Sequence, residues 1–528
     1  MSNVIGWILV AFVLYLLMMI IIGALYSKKS SNTEEYFLGG RNLGGFVAAL
    51  SAQASDMSGW LLMGLPGAIF VWGMNGGDGW CAIGLLIGTI LNWLIVASRL
   101  RKYTIKAGNS VTLPMFFENR YRDQKKGLML VSSIIIVIFF AVYCASALAA
   151  GGKLFQSIFG IDYKIALTLG ALVILIYTFL GGFMAVCLTD FIQGTMMLIA
   201  LLAVPIFAIT FMKQGGISVA QGLADSDVAL QGVIAANPDF SAASATGAGF
   251  INMFKDVNAV GVISGLAWGL GYFGMPHILV RFMAVKSEKE MTKSKTVAIT
   301  WVTISLFMAC VIGIIGRAYM DFAGMIEVGT EKVFIEMIKK VFIDEMNAPI
   351  IAGIFLCGIL AAIMSTADSQ LLVSASSVAE DIFKGIIKKD ASDKLVMTIS
   401  RATIVVIAII AYLIAWNPDS SVMALVSDAW AGLGAAFGPL VLMSLFWKRT
   451  NLPGAIAGLV SGAATVIVWD YIPVIAGATI AKTTGLYSLA VGFPVSLVFI
   501  IIISLITKAP AKEIVDEFEQ VKDVAEEV

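Results

Sequence analysis

The stretch "ALSAQASDMSGWLLMGLPG" (residues 49–67) places an aspartate, three serines and three glycines inside a run that is otherwise apolar enough for a membrane. Glycine and proline are poor helix formers, and Pro66 has no backbone N–H to donate. Irregular backbone at membrane depth survives only where it is buried in protein or lines a water-filled cavity. The stretch therefore predicts a helix interrupted near residues 54–59, with carbonyl groups on one side that attract cations and N–H groups on the other that attract a carboxylate.

The composition of the whole chain is that of a membrane protein. Of its 528 residues, 59% are hydrophobic and only 13% are charged. The apolar residues form about thirteen blocks, each long enough to cross a bilayer as a helix; examples are 5–26, 128–154, 165–186 and 486–506. The first block has no basic residue before it and no obvious cleavage site, so we expect a retained span and not a signal peptide. The prediction is one all-α, multi-pass integral membrane unit.

Several function classes find no support in the sequence. The five cysteines stand singly in apolar blocks, and the chain has one histidine, no HExxH and no GxSxG. A disulfide framework, a zinc site and a membrane enzyme are therefore not expected. The net charge is zero, so no nucleic-acid partner is implied. A channel is disfavoured because no ring-forming filter motif occurs, and the short tail leaves no room for the signalling domain of a sensor.

Basic residues predict the orientation, because they concentrate in cytoplasmic loops. The loop 99–126 holds eight basic and two acidic residues, while 281–295 and 384–401 hold five basic residues each. The loop 214–257 instead has four aspartates against Lys255. Thirteen alternating spans place every strongly basic loop inside if the N-terminus is outside and the C-terminus cytoplasmic. We expect the segment 332–341 to form a short amphipathic helix outside, and the tail to be solvated and partly helical.

A second interrupted helix is predicted at "GLAWGLGYFGMP" (residues 265–276), which has four glycines and a proline among aromatic residues. The two interrupted segments begin groups of five spans, which is the hydropathy pattern of inverted repeats with a site between them. This division predicts six parts: 1–44, the first span and a cytoplasmic loop; 45–213, the first repeat; 214–257, an external loop; 258–447, the second repeat; 448–507, two further spans; and 508–528, a cytoplasmic tail.

Ionisable residues inside spans are costly, so each is a functional hypothesis. In "LAAIMSTADSQLLVSASS" (residues 360–377), Ser365, Asp368 and Ser369 share one helical face. Hydroxyls with backbone carbonyls suit Na⁺, although serines in membrane helices also serve close packing alone. Asp56, Asp190 and Asp428 also stand inside apolar blocks, and no role is assigned to Asp428.

Six motifs carry a resemblance to a known family. The chain resembles the sodium:solute symporter family over about residues 30–507, and the second and fourth motifs resemble its proline branch. The motifs are "YFLGGR" (36–41), "ALSAQASDMSGWLLMGLPGA" (49–68), "YTFLGGFMAV" (177–186), "WGLGYFGMPHILVRFMA" (268–284), "ILAAIMST" (359–366) and "WAGLGAAFGPLVL" (430–442). The resemblance implies a leucine-transporter-type five-plus-five inverted repeat, with one helix before it and two after. It also implies coupled uptake of Na⁺ and L-proline across a cell membrane, with no enzymatic activity.

The same resemblance implies a set of site residues. Na⁺ would be held by the carbonyls of Ala54, Met57 and Ala362 and the hydroxyls of Ser365 and Thr366, with Asp56 as a nearby electrostatic partner. Arg41 would influence coupling. Proline contacts would come from Ser58, Trp60, Gly64, Tyr143, Trp268, Tyr272 and Pro276, although each aromatic ring is equally compatible with ordinary packing.

Two points stay open in this comparison. Relatives with a second Na⁺ site build it from an aspartate matching Asp190 and serines of the Ser365 helix, so Asp190, Asp368 and Ser369 form a possible second cation site here. The alternative is that Asp190 caps the turn after "GGFMAVCLT". The solute is also open, because pantothenate, a sugar or another amino acid fits the same family.

Overall fold

The computed structural model describes residues 2–27, 32–74, 77–180, 182–226, 250–254, 258–322, 330–475 and 477–521. Much of the predicted external loop 214–257 and the end of the tail lie outside these residues. Within them the chain is almost entirely helical, as predicted. A short antiparallel hairpin, β1 (Pro473–Ile475) with β2 (Ala478–Thr479), is the sheet of the described part, and it pairs Ile475 with Ala478.

The described residues from Ser2 to Gln214 form ten helices. They are α1 (Ser2–Ser27), α2 (Thr33–Leu38), α3 (Gly45–Asp56), α4 (Leu65–Trp72), α5 (Asp78–Leu91), α6 (Ala97–Lys106), α7 (Leu113–Tyr121), α8 (Gly127–Phe159), α9 (Tyr163–Leu180) and α10 (Phe183–Gln214). Wider π-helical turns, Trp60–Gly64 and Asn92–Val96, lead into α4 and α6, and a 3₁₀ turn, Gly39–Arg41, follows α2.

The second half forms eleven more described helices. They are α11 (Ala259–Ala267), α12 (Pro276–Ala284), α13 (Glu288–Phe322), α14 (Val333–Lys339), α15 (Pro349–Ser376), α16 (Asp393–Ile414), α17 (Val422–Phe446), α18 (Leu452–Tyr471), α19 (Ile480–Thr484), α20 (Ser488–Ile506) and α21 (Lys512–Gln520). The 3₁₀ segment Trp268–Gly274 joins α11 to α12, and Thr330–Lys332 precedes α14; π-helical turns, Lys340–Glu345 and Ser377–Ile387, extend α14 and α15.

Ten described helices are long and apolar enough to cross a membrane, or eleven with the bent α11–α12 pair. The predicted count of thirteen stays a prediction, because it also requires α9 and the broken α3–α4 segment to be spans. One predicted block is wrong in its bounds: residues 165–186 are not continuous, since α9 ends at Leu180 and α10 starts at Phe183 after the extended Gly182.

Both predicted interruptions are present. Helix α3 ends at Asp56, because the ψ of 77° at the next residue, Met57, leaves helical geometry, and Pro66 lies in the first turn of α4. In the second, Met275 takes an extended ψ of 104° and α12 begins with Pro276, so the two parts meet at 46°. A proline disfavours helical geometry at the residue before it, which explains why the helix breaks at Met275.

Helices α15 and α17 form the centre of the molecule. Their most apolar windows are 83% buried, whereas those of α1 and α20 are 33% buried and present apolar side chains outward. A helix that is apolar on all sides belongs in a core, and one with an exposed apolar face suits a lipid boundary. The break in α3–α4 packs against the central helix α15, so the polar residues of the opening stretch lie deep in the protein.

The tail differs from its prediction. Helix α21 is not simply solvated, because Phe518 is 5% exposed and its ring lies between the guanidinium groups of Arg99 and Arg120, at 5.0 and 5.3 Å. Glu517 pairs with Arg122 at 2.5 Å. The segment 332–341 does form a helix, and the side chains of Phe334 and Ile338 on it are fully buried.

Glycines bring α5 into backbone contact with the second broken helix. An added Cβ at Gly88 would lie 2.1 Å from the Gly269 carbonyl oxygen, and one at Gly269 would lie 2.1 Å from the Gly84 carbonyl oxygen. Neither backbone can move aside as a flexible side chain could. This contact fixes the position of the segment 268–274 that carries Trp268 and Tyr272.

We expect Gly88→Ala to destabilise the folded protein, because its methyl group would collide with the Gly269 backbone; overpacking of this kind costs about 1–3 kcal/mol. The midpoint of thermal unfolding in detergent should fall. Gly6→Ala is the matched control, since nothing lies within 4 Å of a Cβ there. Equal midpoints for the two variants would contradict the close approach of α5 to residue 269.

Candidate functional site

The first break leaves a helix-end carbonyl without its normal helical donor. Ser58 N–H donates to the Asp56 carbonyl at 3.0 Å and not to Ala54, four residues back. The Ala54 carbonyl oxygen accepts instead from the Ser365 hydroxyl at 2.7 Å and from the Thr366 hydroxyl at 3.4 Å. The C-terminal end of α3 is therefore joined to α15 by side-chain hydroxyls.

Four of the five predicted sodium ligands meet at this point. The Ser365 and Thr366 hydroxyls also donate to the Ala362 carbonyl, at 3.2 and 3.1 Å. Each of the two hydroxyl oxygens thus lies within hydrogen-bond distance of both carbonyl oxygens, and all four residues are fully buried. The fifth ligand, the Met57 carbonyl, comes from the residue at which α3 leaves helical geometry. Neutral oxygens at a helix C-terminus suit a hard monovalent cation.

Asp56 is a fully buried carboxylate beside this oxygen cluster. Its Oδ2 accepts from the Tyr272 hydroxyl at 2.6 Å, which links the first broken helix to the second. Its Oδ1 has no hydrogen-bond partner among the described residues. A buried carboxylate is costly unless it is compensated, so this oxygen can receive a cation or an ammonium group.

The structure brings several predicted proline contacts to the same break. The Trp60 indole N–H donates to the Asp56 carbonyl at 2.9 Å, and the Ser58 hydroxyl accepts from the Trp60 backbone N–H at 3.4 Å. Tyr143 lies next to Ser58 and Trp60 and is fully buried. Gly64 lies one turn further along, where an added Cβ would contact Met423 at 3.4 Å. Asp56, Ser58, Trp60, Tyr143 and Tyr272 therefore form one buried group.

Two predicted contacts are placed elsewhere. The Trp268 ring stacks on Tyr487 at 5.1 Å and lines a cavity of about 320 Å³ with Asp428 and Asp470. Pro276, beyond the second break, lines a different cavity of about 20 Å³. Trp268 is connected to the buried group through Trp430, whose indole N–H donates to the Trp268 carbonyl at 2.8 Å and whose ring meets Tyr272 edge-on at 5.0 Å.

Asp190 does not cap a turn, so that alternative is wrong. It lies inside α10, where its Oδ2 accepts from the Ser51 hydroxyl at 2.7 Å and pairs with Arg281 Nη2 at 3.3 Å. Ser369 is a partner of the same guanidinium, at 2.5 Å. Asp368 is connected to the guanidinium through Ser369, because its Oδ1 accepts a hydrogen bond from the Ser369 hydroxyl at 3.4 Å. Two of the three residues of the possible second cation site, Asp190 and Ser369, thus contact an arginine, and Asp368 contacts Ser369.

Arg41 joins three parts of the chain near the start of α3. Its guanidinium donates to the Met283 carbonyl at 2.6 Å, to the Ser110 carbonyl at 2.8 Å and to Asn109 Oδ1 at 2.8 Å. Burial lowers the pKa of the Arg41 guanidinium to about 10, so it stays charged at neutral pH. It contacts no residue of the Ser365 cluster among the described residues, and its effect on the site would be transmitted through the loops that it holds.

Sequence reasoning missed Arg281, Ser51, Trp430 and His277. Arg281 is a charged residue within the motif 268–284, which could have marked it as a candidate. Its partner Asp190 lies 91 positions away in the sequence, so the pairing itself could not be inferred. His277 is fully buried with neither ring nitrogen hydrogen-bonded within the described part, and its ring lies against Tyr143 at 6.1 Å. Trp430 looks like ordinary apolar packing until its indole N–H is located.

Comparison with known proteins supports the same interpretation. The sodium:solute symporter family model matches residues 36–462. The high-affinity proline transporter PutP of Bacillus subtilis (strain 168) is 44% identical over 505 residues, which is 96% of this chain and 99% of that protein. The sodium/proline symporter of Haemophilus influenzae is 44% identical over 526 residues, covering 98% of each chain.

The fold is also that of a solved transporter. The substrate-bound, outward-open structure of a Na⁺-coupled sialic acid symporter matches with a TM-score of 0.71 at 19% identity, covering 96% of this chain and 99% of that one. The predicted leucine-transporter-type fold class is confirmed. These similarities, together with the paired helix breaks, show that the chain is a multi-pass transporter of the cell membrane and not an enzyme, and that it belongs to the sodium:solute symporter family.

Proposed function

We propose that this protein is a secondary active transporter that couples Na⁺ influx to L-proline uptake by alternating access. The observation that carries the proposal is the buried oxygen cluster that joins the Ala54 carbonyl to Ser365 and Thr366, with Asp56 beside it. The relatives named for proline transport cover nearly the whole chain at 44% identity, which supports proline as the solute.

Na⁺ would bind where the hydroxyls now donate to carbonyls. In that state the Ala54 and Ala362 carbonyls and the two hydroxyl oxygens would point at the ion, with Met57 as a further ligand. At present, direct hydrogen bonds connect the broken helix α3 to the central helix α15. With Na⁺ bound, the ion would make this connection instead. Asp56 would supply negative charge nearby without being a direct ligand.

Proline would bind on the other side of the break. Its carboxylate suits the N–H groups that begin the Trp60–Gly64 turn, since a helix N-terminus favours negative charge. Its secondary ammonium suits the Asp56 Oδ1 that has no protein partner in the described part. The rings of Trp60 and Tyr143 offer apolar faces to the pyrrolidine ring. Tyr272, which donates to Asp56, would hold the carboxylate in position. Trp268 and Pro276 would act from further away, at the second break.

Coupling follows from the shared helix end. Na⁺ on the carbonyl side of the break orders the residues whose N–H groups receive proline on the other side. Because coupling between two sites is reciprocal, proline must raise Na⁺ affinity by the same factor as Na⁺ raises proline affinity. The membrane potential adds about 2.3 kcal/mol per charge per 100 mV to the inward movement of a cation.

The orientation in the membrane is part of the proposal. The strongly basic loops 99–126, 281–295 and 384–401 would face the cytoplasm, which places the N-terminus outside and the C-terminus inside. In the second of these loops the four lysines from Lys286 onward carry the argument, because Arg281 is fully buried within α12. Arg41, in the loop before α3, would then lie on the cytoplasmic side. The division into repeats 45–213 and 258–447 fits the two breaks and also remains a proposal.

Uptake of labelled proline into proteoliposomes tests the sodium site. We expect uptake under a Na⁺ gradient that K⁺ cannot replace, and a higher half-saturating Na⁺ concentration in Ser365→Ala, because the site loses one oxygen. Ser374→Ala is the control on the same helix, since Ser374 is equally buried but its hydroxyl donates only to the Gln370 carbonyl, at 2.8 Å. An unchanged Na⁺ requirement in Ser365→Ala would remove that hydroxyl from the site, and competition by unlabelled solutes defines the solute range.

Replacing Asp56 by Asn tests its charge at nearly constant volume. We expect proline transport to be lost while the protein still inserts, because a neutral amide cannot compensate an ammonium group or a sodium ion beside it. Asp419→Asn, on an exposed turn, is the control and should transport normally. Normal transport by Asp56→Asn would show that the site does not depend on this carboxylate.

Single added cysteines test the orientation, because all five native cysteines are buried. Lys482→Cys should react with a membrane-impermeant maleimide in intact cells, since this exposed residue is predicted to be outside. Lys448→Cys, equally exposed, should react only after permeabilisation. The reverse pattern would invert the proposed topology.

A further inference from the structure

The membrane-embedded part of the protein contains a fully buried arginine, Arg281, on α12 just after the second break. Its guanidinium pairs with Asp190 of α10 at 3.3 Å, and the exposed fraction of both side chains is zero. An uncompensated charge at this depth is prohibitive, so each member of the pair makes burial of the other possible. The function proposed above assigns no role to this pair.

Hydrogen bonds hold the guanidinium in one orientation. Its Nε donates to the Ser51 hydroxyl at 3.1 Å, its Nη1 to the His277 carbonyl at 2.7 Å and its Nη2 to the Ser369 hydroxyl at 2.5 Å. The flat face lies 5.2 Å from the centre of the Phe183 ring. Ser51 lies on α3 and Ser369 on α15, so the group joins the two helices that also meet at the Ala54 carbonyl.

The oxygens around Arg281 are the ones that a second Na⁺ would require. A cation at Asp190 would need that carboxylate together with neighbouring hydroxyls such as Ser369. Both already accept hydrogen bonds from Arg281. A guanidinium is always charged in proteins and cannot leave its helix. It therefore supplies one positive charge to Asp190 permanently, without being transported.

We propose that Arg281 is a tethered counter-cation that takes the place of a second transported Na⁺, so that one Na⁺ moves with each solute molecule. The inference rests on the proposed function, because it concerns the number of ions coupled to the solute. It makes Arg281 and Asp190 determinants of coupling stoichiometry and not solute contacts.

Asp368 is the other carboxylate that faces this group. It is fully buried and is connected to the guanidinium through Ser369, whose hydroxyl contacts both side chains. A second ion held by Asp368 would oppose the proposal, so Asp368 needs its own variant in the test. Ser365 belongs to the first site and is left unchanged.

The test measures the charge and the sodium carried per proline in proteoliposomes. The membrane potential is set with K⁺ and valinomycin, and the voltage that stops net proline flux is found at fixed Na⁺ and proline gradients. Radioactive Na⁺ and proline are counted in parallel. Proline is a zwitterion and adds no net charge. For the wild-type protein, the voltage that stops net flux should therefore correspond to about one charge per proline, and the isotope counts should give about one Na⁺ per proline. A ratio of two in the wild type would overturn the proposal without any mutagenesis.

Variants of the pair test the reason for that ratio. Arg281→Gln leaves Asp190 without its counter-charge, so a second Na⁺ should bind there and the ratio should rise to about two. The double variant Arg281→Gln with Asp190→Asn removes both charges, and it should return to about one Na⁺ per proline. Arg281→Lys keeps the charge and should also stay at one, which separates the charge from the shape of the side chain.

The outcomes are distinguishable from failure of the proposed function. Uptake that is equal in Na⁺ and K⁺ would refute Na⁺ coupling, and the inference with it. Na⁺-dependent uptake with an unchanged ratio in Arg281→Gln would refute the inference alone. A ratio of two in the wild type that falls to one in Asp368→Asn would move the second ion to Asp368. If Arg281→Gln does not fold, the wild-type ratio decides the question, because a ratio of two with Arg281 in place refutes the inference.

Discussion

The hydrogen bond from the Ser365 hydroxyl to the Ala54 carbonyl is the contact on which the rest of the site depends. It exists because α3 stops before Met57, so a carbonyl of its last turn has no helical donor. Helix α15 brings two hydroxyls to that carbonyl from the most buried part of the molecule. The backbone thus provides oxygens at membrane depth without exposing an unsatisfied group to lipid. When the hydroxyl hydrogens rotate away from the carbonyl, the same carbonyl and hydroxyl oxygens can coordinate an ion.

The two buried aspartates that flank this contact are compensated in different ways. Asp190 faces an arginine, and its charge is balanced within the protein. Asp56 faces a tyrosine hydroxyl, and the described residues offer it no cationic partner. Its negative charge is therefore available to something that arrives from outside. The difference fits unlike roles for two carboxylates on neighbouring helices: Asp190 joins helices through Arg281, and Asp56, in the function proposed above, would receive the transported species.

Much of the fold could be predicted because it depends on short stretches of sequence that can be interpreted one at a time. Span lengths follow from apolar blocks, and both breaks follow from glycine and proline, which lie beside polar residues in the first break and among aromatic residues in the second. The Ala54–Ser365 cluster was expected from a motif resemblance and not from spacing. Contacts between distant segments could not be predicted in this way: Arg281 and Asp190 lie on helices whose relative rotation no single segment specifies. The same holds for Phe518, an apolar residue in a charged tail, which finds its partners on α6 and α7.

The glycine contact between α5 and the segment 268–274 also limits how the molecule can move. Where two backbones touch at Gly88 and Gly269 with no side chains between them, sliding of one along the other drives carbonyl groups into each other. Alternation between two open states therefore cannot proceed by shear at this seam. Helix α5 and the segment 259–274 of the second broken helix must therefore move together, and whatever turns Tyr272 away from Asp56 must carry α5 with it.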